Sequence, residues 1–352
     1  MRITANQVTL ARLILMPMLC GLIYGDRVMQ TWALVIGTLV GATDFVDGWL
    51  ARKQGPTILG GLMDPIADKV FIAVCFVPFA DRGYVPWMLV AALFLREYLV
   101  TALRSSFERR QRQLRSTYMS KVKTWVQMSS LALTLIMLLI RSHTILFWMF
   151  VGMAIVPVLL GVGWWIVKRK VWTGAVLGAV LHAIFALVFY FAGTERTIQA
   201  SAIVMVLLTW VSAIDYVTAA VAVIKEPTLF DLSRIVPAAA LPLLGMFALT
   251  HGQAPAWSII AVLALEFAHG GLDNLLAHHD AAAPPWVWGG RLAVIIASLG
   301  LTLVLPEHAT LLGSIAVAVS LAGTVATFWS RRRYYVEPKL RDKKRAVAEP
   351  AT

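Results

Sequence analysis

Charged side chains are scarce in this 352-residue chain, because Asp, Glu, Lys and Arg together make up only 14% of it. Hydrophobic residues account for 59%, and the mean hydropathy is +0.75. So few polar groups cannot cover the water-facing surface of a soluble protein of this length. The composition therefore excludes a set of soluble domains and indicates an integral membrane protein.

Cysteine is rarer still, since Cys20 and Cys75 are the only two and both lie inside apolar runs. Their placement excludes a disulfide framework. Acidic residues are also outnumbered, 19 Asp and Glu against 31 Lys and Arg, which gives a net charge of +12. In a membrane protein such an excess reflects topology and attraction to lipid headgroups. We therefore expect anionic membrane lipid, and no nucleic acid, among the partners.

Apolar runs long enough to cross a bilayer, about 20 residues each, recur along the chain without strand-like alternation. They predict an all-α, polytopic helical bundle of about twelve transmembrane helices, at 8–24, 30–50, 62–80, 85–104, 121–140, 145–167, 172–192, 198–224, 232–250, 256–277, 287–305 and 309–330. The positive-inside rule then places both termini in the cytoplasm and the chain in the cytoplasmic (cell inner) membrane. With that orientation the outer loops keep only Arg27, Arg82, Arg141 and Arg196.

Four aspartates form the most informative pattern, because they fall in two pairs at helical spacing. Asp44 and Asp47 are three residues apart near the end of the second run, and Asp64 and Asp68 are four apart at the start of the third. Each pair shares one helix face, and the short loop between the runs brings the two faces together at the inner membrane edge. The alternative is four separately solvated aspartates, but on facing stripes they would repel strongly unless cations held them.

Clustered carboxylates without His or Cys suit hard cations, so the pattern predicts two divalent ions, Mg²⁺ or Mn²⁺, which would bridge a pyrophosphate. Nearby residues fit a phosphate ligand. Gly48 lets a ligand approach the helix backbone, and Gly60 allows the connecting loop to turn tightly beneath it. Arg52 lies one turn from Gly48, placed to meet a phosphate oxygen.

Together these residues resemble the signature of the CDP-alcohol phosphatidyltransferase family. The matching positions are Asp44-x2-Asp47-Gly48-x2-Ala51-Arg52-x7-Gly60-x3-Asp64-x3-Asp68. Members of this family transfer a phosphatidyl or similar group from a CDP-linked donor to an alcohol and release CMP. The resemblance therefore implies a metal-dependent membrane enzyme of phospholipid synthesis, with its active site facing the cytoplasm.

Position by position, the resemblance implies a role for each signature residue. Asp44, Asp47 and Asp64 would ligate the pair of divalent ions. Asp68 would ligate them too and act as the catalytic base that deprotonates the acceptor hydroxyl. The residues expected around the CDP moiety and the pyrophosphate are Gly48, Ala51, Arg52 and Gly60.

Three further segments, 6–12, 96–104 and 121–128, resemble one branch of the family, the phosphatidylglycerophosphate synthases. This branch implies CDP-diacylglycerol as donor and glycerol 3-phosphate, a small phosphorylated alcohol, as acceptor. A dianionic acceptor needs cations near the aspartates, and four lie on the cytoplasmic side of neighbouring helices. The expected acceptor-phosphate-binding residues are Arg96, Arg104, Lys121 and Lys123.

Several alternatives stay open at this point. These cations would equally be explained by pairing with Glu97 and other carboxylates, or by enforcing topology. Inositol phosphate would explain them as well as glycerol 3-phosphate, whereas phosphatidylglycerol would explain them less well. A more distant alternative is a non-enzymatic transporter or scaffold, since twelve spans with an internal repeat are common in transporters.

The chain is longer than a catalytic unit needs. We assign 1–226 to the catalytic unit, with a helical hairpin inserted near 145–192, and 336–352 to a disordered cytoplasmic tail. Residues 227–335 form an additional transmembrane region, interpreted as a degenerate repeat without a metal site. In it, 232–235 resembles 10–13 and 273–278 lines up with 47–52.

Two expectations concern this additional region. Glu266, His269 and Asp273 form one polar stripe on an apolar helix, for which an interhelical hydrogen-bond network is favoured over a metal or proton site. The family resemblance also implies a homodimer, and a second half packed on the first would replace the partner subunit.

Overall fold

The computed structural model describes residues 4–55, 57–112, 118–284 and 286–336, and the predicted all-helical fold is confirmed there. Of these residues 87% are helical and none is in a strand. The helices are α1 (Ala5–Tyr24), α2 (Arg27–Gln54), α3 (Ile58–Asp81), α4 (Trp87–Arg109), α5 (Tyr118–Leu139), α6 (His143–Lys168), α7 (Thr173–Val223), α8 (Leu229–His251), α9 (Ala256–His278), α10 (Arg291–Leu301), α11 (Ala309–Ser330) and α12 (Arg333–Val336). A π-helical turn, Trp286–Gly290, precedes α10, and a 3₁₀ turn, Pro306–His308, precedes α11.

Short polar side chains start several of these helices. Thr4 and Gln7 form a capping box at the start of α1, and Thr228 and Asp231 form a second one at the start of α8. The side chain of Thr57 caps α3 by accepting a hydrogen bond from the backbone of Gly60. These caps satisfy amide groups that the helices leave without partners, and they fix where α1 and α3 begin beside each other.

Eight helices in the described part of the chain are long and apolar enough to cross a membrane, which supports a polytopic membrane protein. The predicted spans 172–192 and 198–224 both fall within α7, in which two helices meet at Gly193, a non-helical residue whose φ of 76° lies in the left-handed region. Helices α3 and α4 are 24 and 23 residues long but interrupt their apolar sequence with charged side chains. The count of twelve spans and the cytoplasmic placement of the termini stay predictions.

The two halves of the chain pack against each other. Helix α4 contacts α8, α9 and α7, while α3 lies against both α1 and α9. One hydrophobic core joins them, with side chains such as Phe76 of α3, Phe94 of α4 and Phe267 of α9. Helix α6 packs mainly against α7 and exposes most of its apolar surface. The proposed boundary at 226 and the inserted hairpin stay predictions, and residues 337–352 lie outside the described part.

Candidate active site

Two side chains of α1 bring together carboxylates from α2 and α3. The guanidinium of Arg12 lies 3.0 Å from Asp47 Oδ2 and 3.0 Å from Asp68 Oδ1. Thr9 Oγ1 lies 2.9 Å from Asp64 Oδ1 and 3.3 Å from Asp47 Oδ2. Asp47 is only 2% exposed, whereas the side chain of Asp68 is 41% exposed. The structure thus gathers three of the four predicted aspartates, and Asp68 is accessible to a ligand.

The donor set suits a hard divalent cation, because it consists of carboxylate and hydroxyl oxygens. Among the described residues no group of three or more His, Cys, Asp or Glu is already drawn together as a metal cage. The side chain of the fourth aspartate, Asp44, lies outside the described part of the structure. Arg12 supplies positive charge between Asp47 and Asp68, which reduces the repulsion between these carboxylates.

Neither Thr9 nor Arg12 was predicted as a site residue. Both are buried in an otherwise apolar helix, and their spacing of three residues places them on one face. A buried arginine in a membrane helix needs an anionic partner, and this requirement could have indicated from the sequence that Arg12 pairs with the aspartates.

The signature glycines occupy two different environments. A Cβ on Gly60 would lie 2.8 Å from Asn6 Oδ1 and 2.9 Å from Thr57 Oγ1, so glycine lets α1 approach the start of α3. A Cβ on Gly48 would meet only the Arg52 guanidinium, at an ordinary 3.7 Å. The helix surface at Gly48 is therefore open, with Ala51 half-buried and Arg52 exposed beside it. This surface leaves room for a ligand at the end of α2.

The predicted acceptor cations are arranged differently from one another. Arg96 and Lys123 both pair with the buried Glu97, at 3.1 and 2.8 Å. Arg96 also donates hydrogen bonds to Ser212 Oγ and to a backbone carbonyl of α7. Arg104 is half-buried and makes no hydrogen bond or ion pair with any described residue. The side chain of Lys121 lies outside the described residues.

A polar cavity of about 180 Å³ opens beside Asp68. Two carboxylates line it, those of Asp68 and Glu97. Four cationic side chains outnumber them: Lys69, Arg96, Arg104 and Lys123. Lys69 was missed from the sequence, although it directly follows Asp68. It donates a hydrogen bond to Thr101 Oγ1 of α4, which holds its ammonium group between α3 and α4. The cavity therefore suits a small anion next to Asp68.

An apolar cavity of about 540 Å³ lies among α1, α2, α3 and α5. Small residues of α2 form one of its walls, including Ala33, Gly37 and Gly41. Leu19, Phe71 and Leu135 line the opposite sides. A cavity of this size and lining suits hydrocarbon chains.

The second half repeats one contact of the site. Arg234 of α8 makes two hydrogen bonds to Asp273 of α9, at 2.8 and 2.9 Å, as Arg12 of α1 bonds Asp47 of α2. Glu266 pairs with Arg291 at 3.1 Å. Each carboxylate of the polar stripe thus has an arginine of its own, whereas Asp47 and Asp68 share Arg12, and this full pairing favours a structural network over a metal site in the stripe.

Replacing Arg234 with glutamine is expected to lower the free energy of unfolding by about 3 to 5 kcal/mol, because Asp273 would stay buried without its cation. Thermal unfolding of the protein in detergent measures this effect. Arg332→Gln, at an exposed position, is the matched control and should melt like the wild type. The same melting temperature for both variants would contradict a stabilising role for the Arg234–Asp273 pair.

The sequence has relatives of known class. Residues 2–165 match the profile of the CDP-alcohol phosphatidyltransferase family. The chain is 34% identical over 144 residues to a CDP-diacylglycerol–glycerol-3-phosphate 3-phosphatidyltransferase of Blochmanniella floridana, covering 38% of this chain and 72% of that protein. It is 36% identical over 137 residues to a probable phosphatidylglycerophosphate synthase of Mycobacterium tuberculosis, covering 37% of this chain and 64% of the relative. No solved structure matches the chain significantly.

Proposed function

Because this chain belongs to the CDP-alcohol phosphatidyltransferase family, we propose that it transfers the phosphatidyl group of CDP-diacylglycerol to the hydroxyl of glycerol 3-phosphate. The cavity beside Asp68 carries this proposal, since Lys69 and Arg104 line it together with the potential base. An acceptor without a phosphate would leave these cations without a ligand. The protein would lie in the cytoplasmic membrane, and its site would face the cytoplasm, where such an acceptor is dissolved.

In this reaction Asp68 accepts the proton of the acceptor hydroxyl, and its partial exposure to the cavity makes that transfer accessible. The acceptor oxygen forms a bond to the phosphorus that carries diacylglycerol. The bond from that phosphorus to the bridging pyrophosphate oxygen breaks, and CMP leaves with the electron pair. Asp44, Asp47, Asp64 and Asp68 would hold two Mg²⁺ or Mn²⁺ ions, whose charge offsets that of the pyrophosphate.

The donor lies on the other side of the aspartates in this proposal. The open surface at Gly48 and Ala51, with Arg52 beside it, would receive the CDP moiety. Gly60 would keep the start of α3 close to α1. The apolar cavity among α1, α2, α3 and α5 would receive hydrocarbon chains entering from the membrane. Donor and acceptor would then approach Asp68 from different sides.

The four predicted cations take two roles in the proposal. Arg104 and the newly identified Lys69 bind the acceptor phosphate. Arg96 and Lys123 line the same cavity while holding Glu97, so they position its wall and contribute positive potential. Lys121 keeps its expected role as a phosphate-binding residue.

The test is CMP release by the purified full-length protein in detergent, with CDP-diacylglycerol, Mg²⁺ or Mn²⁺, and one acceptor at a time. Release with glycerol 3-phosphate is the expected result. Release only with inositol phosphate or phosphatidylglycerol would overturn the choice of acceptor while retaining the transferase reaction. Folded protein that releases no CMP with any acceptor would contradict the transferase proposal and leave the transporter or scaffold alternative.

Replacing Arg104 with glutamine is expected to raise KM for glycerol 3-phosphate roughly tenfold, because one charge-assisted contact to phosphate is worth about 1.4 kcal/mol or more. KM for CDP-diacylglycerol should stay unchanged, since Arg104 lines only the acceptor side. Arg109→Gln, on an exposed face of the same helix, is the control. Equal changes in both KM values would show that Arg104 does not select the acceptor.

A further inference from the structure

A second polar cavity, of about 230 Å³, adjoins the acceptor cavity and is closed by the additional half of the chain. Lys69, Thr101 and Arg104 line both cavities. Helix α9 supplies the far wall, with the polar side chains of Asn274 and His278. The proposed phosphate-binding cations therefore face α9 on one side and Asp68 on the other.

Two glycines allow α9 to lie this close to the catalytic helices. A Cβ on Gly270 would come within 3.0 Å of the Thr101 methyl group on α4. A Cβ on Gly271 would come within 3.1 Å of Leu62 and 3.2 Å of Ile66 on α3. Larger residues would separate the helices, so glycine at these positions lets α9 form a cavity wall.

Helix α9 also places an aromatic ring next to Lys69. The Lys69 ammonium lies 5.0 Å from the centre of the Phe267 ring, within the range of a cation–π contact. Phe267 is held in turn by stacking on Tyr98 of α4 at 4.0 Å, and the Tyr98 hydroxyl donates a hydrogen bond to the Leu263 carbonyl of α9. The position of the ammonium group thus depends on the second half.

The polar groups of the far wall are anchored to α4. Ser105 Oγ lies 2.5 Å from Asn274 Oδ1, and His278 Nδ1 lies 2.6 Å from Glu108 Oε2. These contacts orient the remaining amide and imidazole groups at the edge of the cavity. Amide, imidazole and carboxylate groups next to two cations form a suitable surface for a phosphate ester that also carries hydroxyl groups.

We propose that the second half of the chain completes the acceptor site: the acceptor phosphate binds at Lys69 and Arg104 against α9, and Asn274 and His278 limit which phosphorylated alcohol fits. This inference rests on the proposed function, because it assigns the same two cations to the acceptor. It gives residues 227–335 a role in substrate selection without any catalytic aspartate. It also makes the acceptor site dependent on contacts between residues far apart in the chain.

Asn274→Asp tests the inference, because it adds one negative charge to the cavity and keeps an oxygen to accept from Ser105. KM for glycerol 3-phosphate is expected to rise roughly tenfold through repulsion of the phosphate, with KM for CDP-diacylglycerol unchanged. Asn274→Leu removes the amide at similar size and should raise KM less. Gln253→Glu adds the same charge at an exposed loop position before the opposite end of α9 and should leave both KM values unchanged.

Thermal stabilisation by glycerol 3-phosphate, with glycerol as the control, is measured on the same preparations. If wild-type protein is stabilised but releases no CMP, the proposed function fails, and loss of that stabilisation in Asn274→Asp would still support the site. Equal acceptor KM in wild type and Asn274→Asp would overturn the inference while retaining the transferase. If Asn274→Asp does not fold, Phe267→Leu replaces it, and an unchanged acceptor KM in that variant would equally overturn the role of α9.

Discussion

Replacing Asp68 with asparagine is expected to reduce CMP release by about 10²–10⁴-fold, the range typical of a lost general base. In the wild type the Arg12 guanidinium lies 3.0 Å from Asp68 Oδ1. Asparagine keeps an oxygen that can accept a hydrogen bond from Arg12, but its amide cannot take the proton of the acceptor hydroxyl. The loss should therefore appear in kcat under saturating acceptor, with little change in thermal stability. Radiolabelled CMP release at saturating substrates measures it.

Asp81→Asn is the matched control for this experiment. Asp81 lies at the other end of the same helix and accepts a hydrogen bond from Tyr24, away from the cavity beside Asp68. The same substitution there should leave kcat unchanged. An Asp68→Asn protein that folds and turns over at the wild-type rate would rule out Asp68 as the base and would move that role to another carboxylate of the cluster.

Removing divalent ions with a chelator is expected to stop CMP release, and Mg²⁺ or Mn²⁺ should restore it. The physical reason is the carboxylate cluster, in which Asp47, Asp64 and Asp68 gather around Arg12 and Thr9. One guanidinium offsets only part of this negative charge when a pyrophosphate also binds. Full CMP release in excess chelator would contradict metal dependence.

Ion binding can also be followed without turnover. A ligand at a hundred times its Kd stabilises the folded state by about 2.7 kcal/mol, so Mn²⁺ should raise the melting temperature of the wild type. Asp64→Asn should lose most of this shift, because one carboxylate of the cluster is missing. Asp81→Asn should keep it. Identical shifts in the two variants would place the ions elsewhere.

Much of the fold and of the aspartate cluster could be predicted from local sequence. Apolar runs indicate membrane helices because hydrophobicity and length act over about 20 residues. Asp64 and Asp68 share a face because their spacing matches one helical turn. The family signature can also be recognised locally, because all of its positions lie within residues 44–68. The break between the two helical segments of α7 also agrees with the sequence, since it falls at Gly193, between the predicted spans 172–192 and 198–224.

The polar cavity beside Asp68 depends on tertiary structure. Arg96 and Lys123 both form ion pairs with Glu97. From the sequence alone, a cation that pairs with a carboxylate could not be distinguished from one that binds phosphate. Lys69 follows Asp68 in the chain, but its place between two cavities results from α4 and α9. Local periodicity indicates the face on which a side chain lies and not which distant helix meets that face.

The sequence by itself determined that this is a helical membrane protein of the CDP-alcohol phosphatidyltransferase family, with its aspartates paired on two helices. Only the tertiary structure decided that Arg12 lies between Asp47 and Asp68, and that α9 closes the cavity at Lys69 and Arg104. These contacts join residues separated by tens to hundreds of positions. Such pairs meet through the packing of whole helices, which no local pattern of residues specifies.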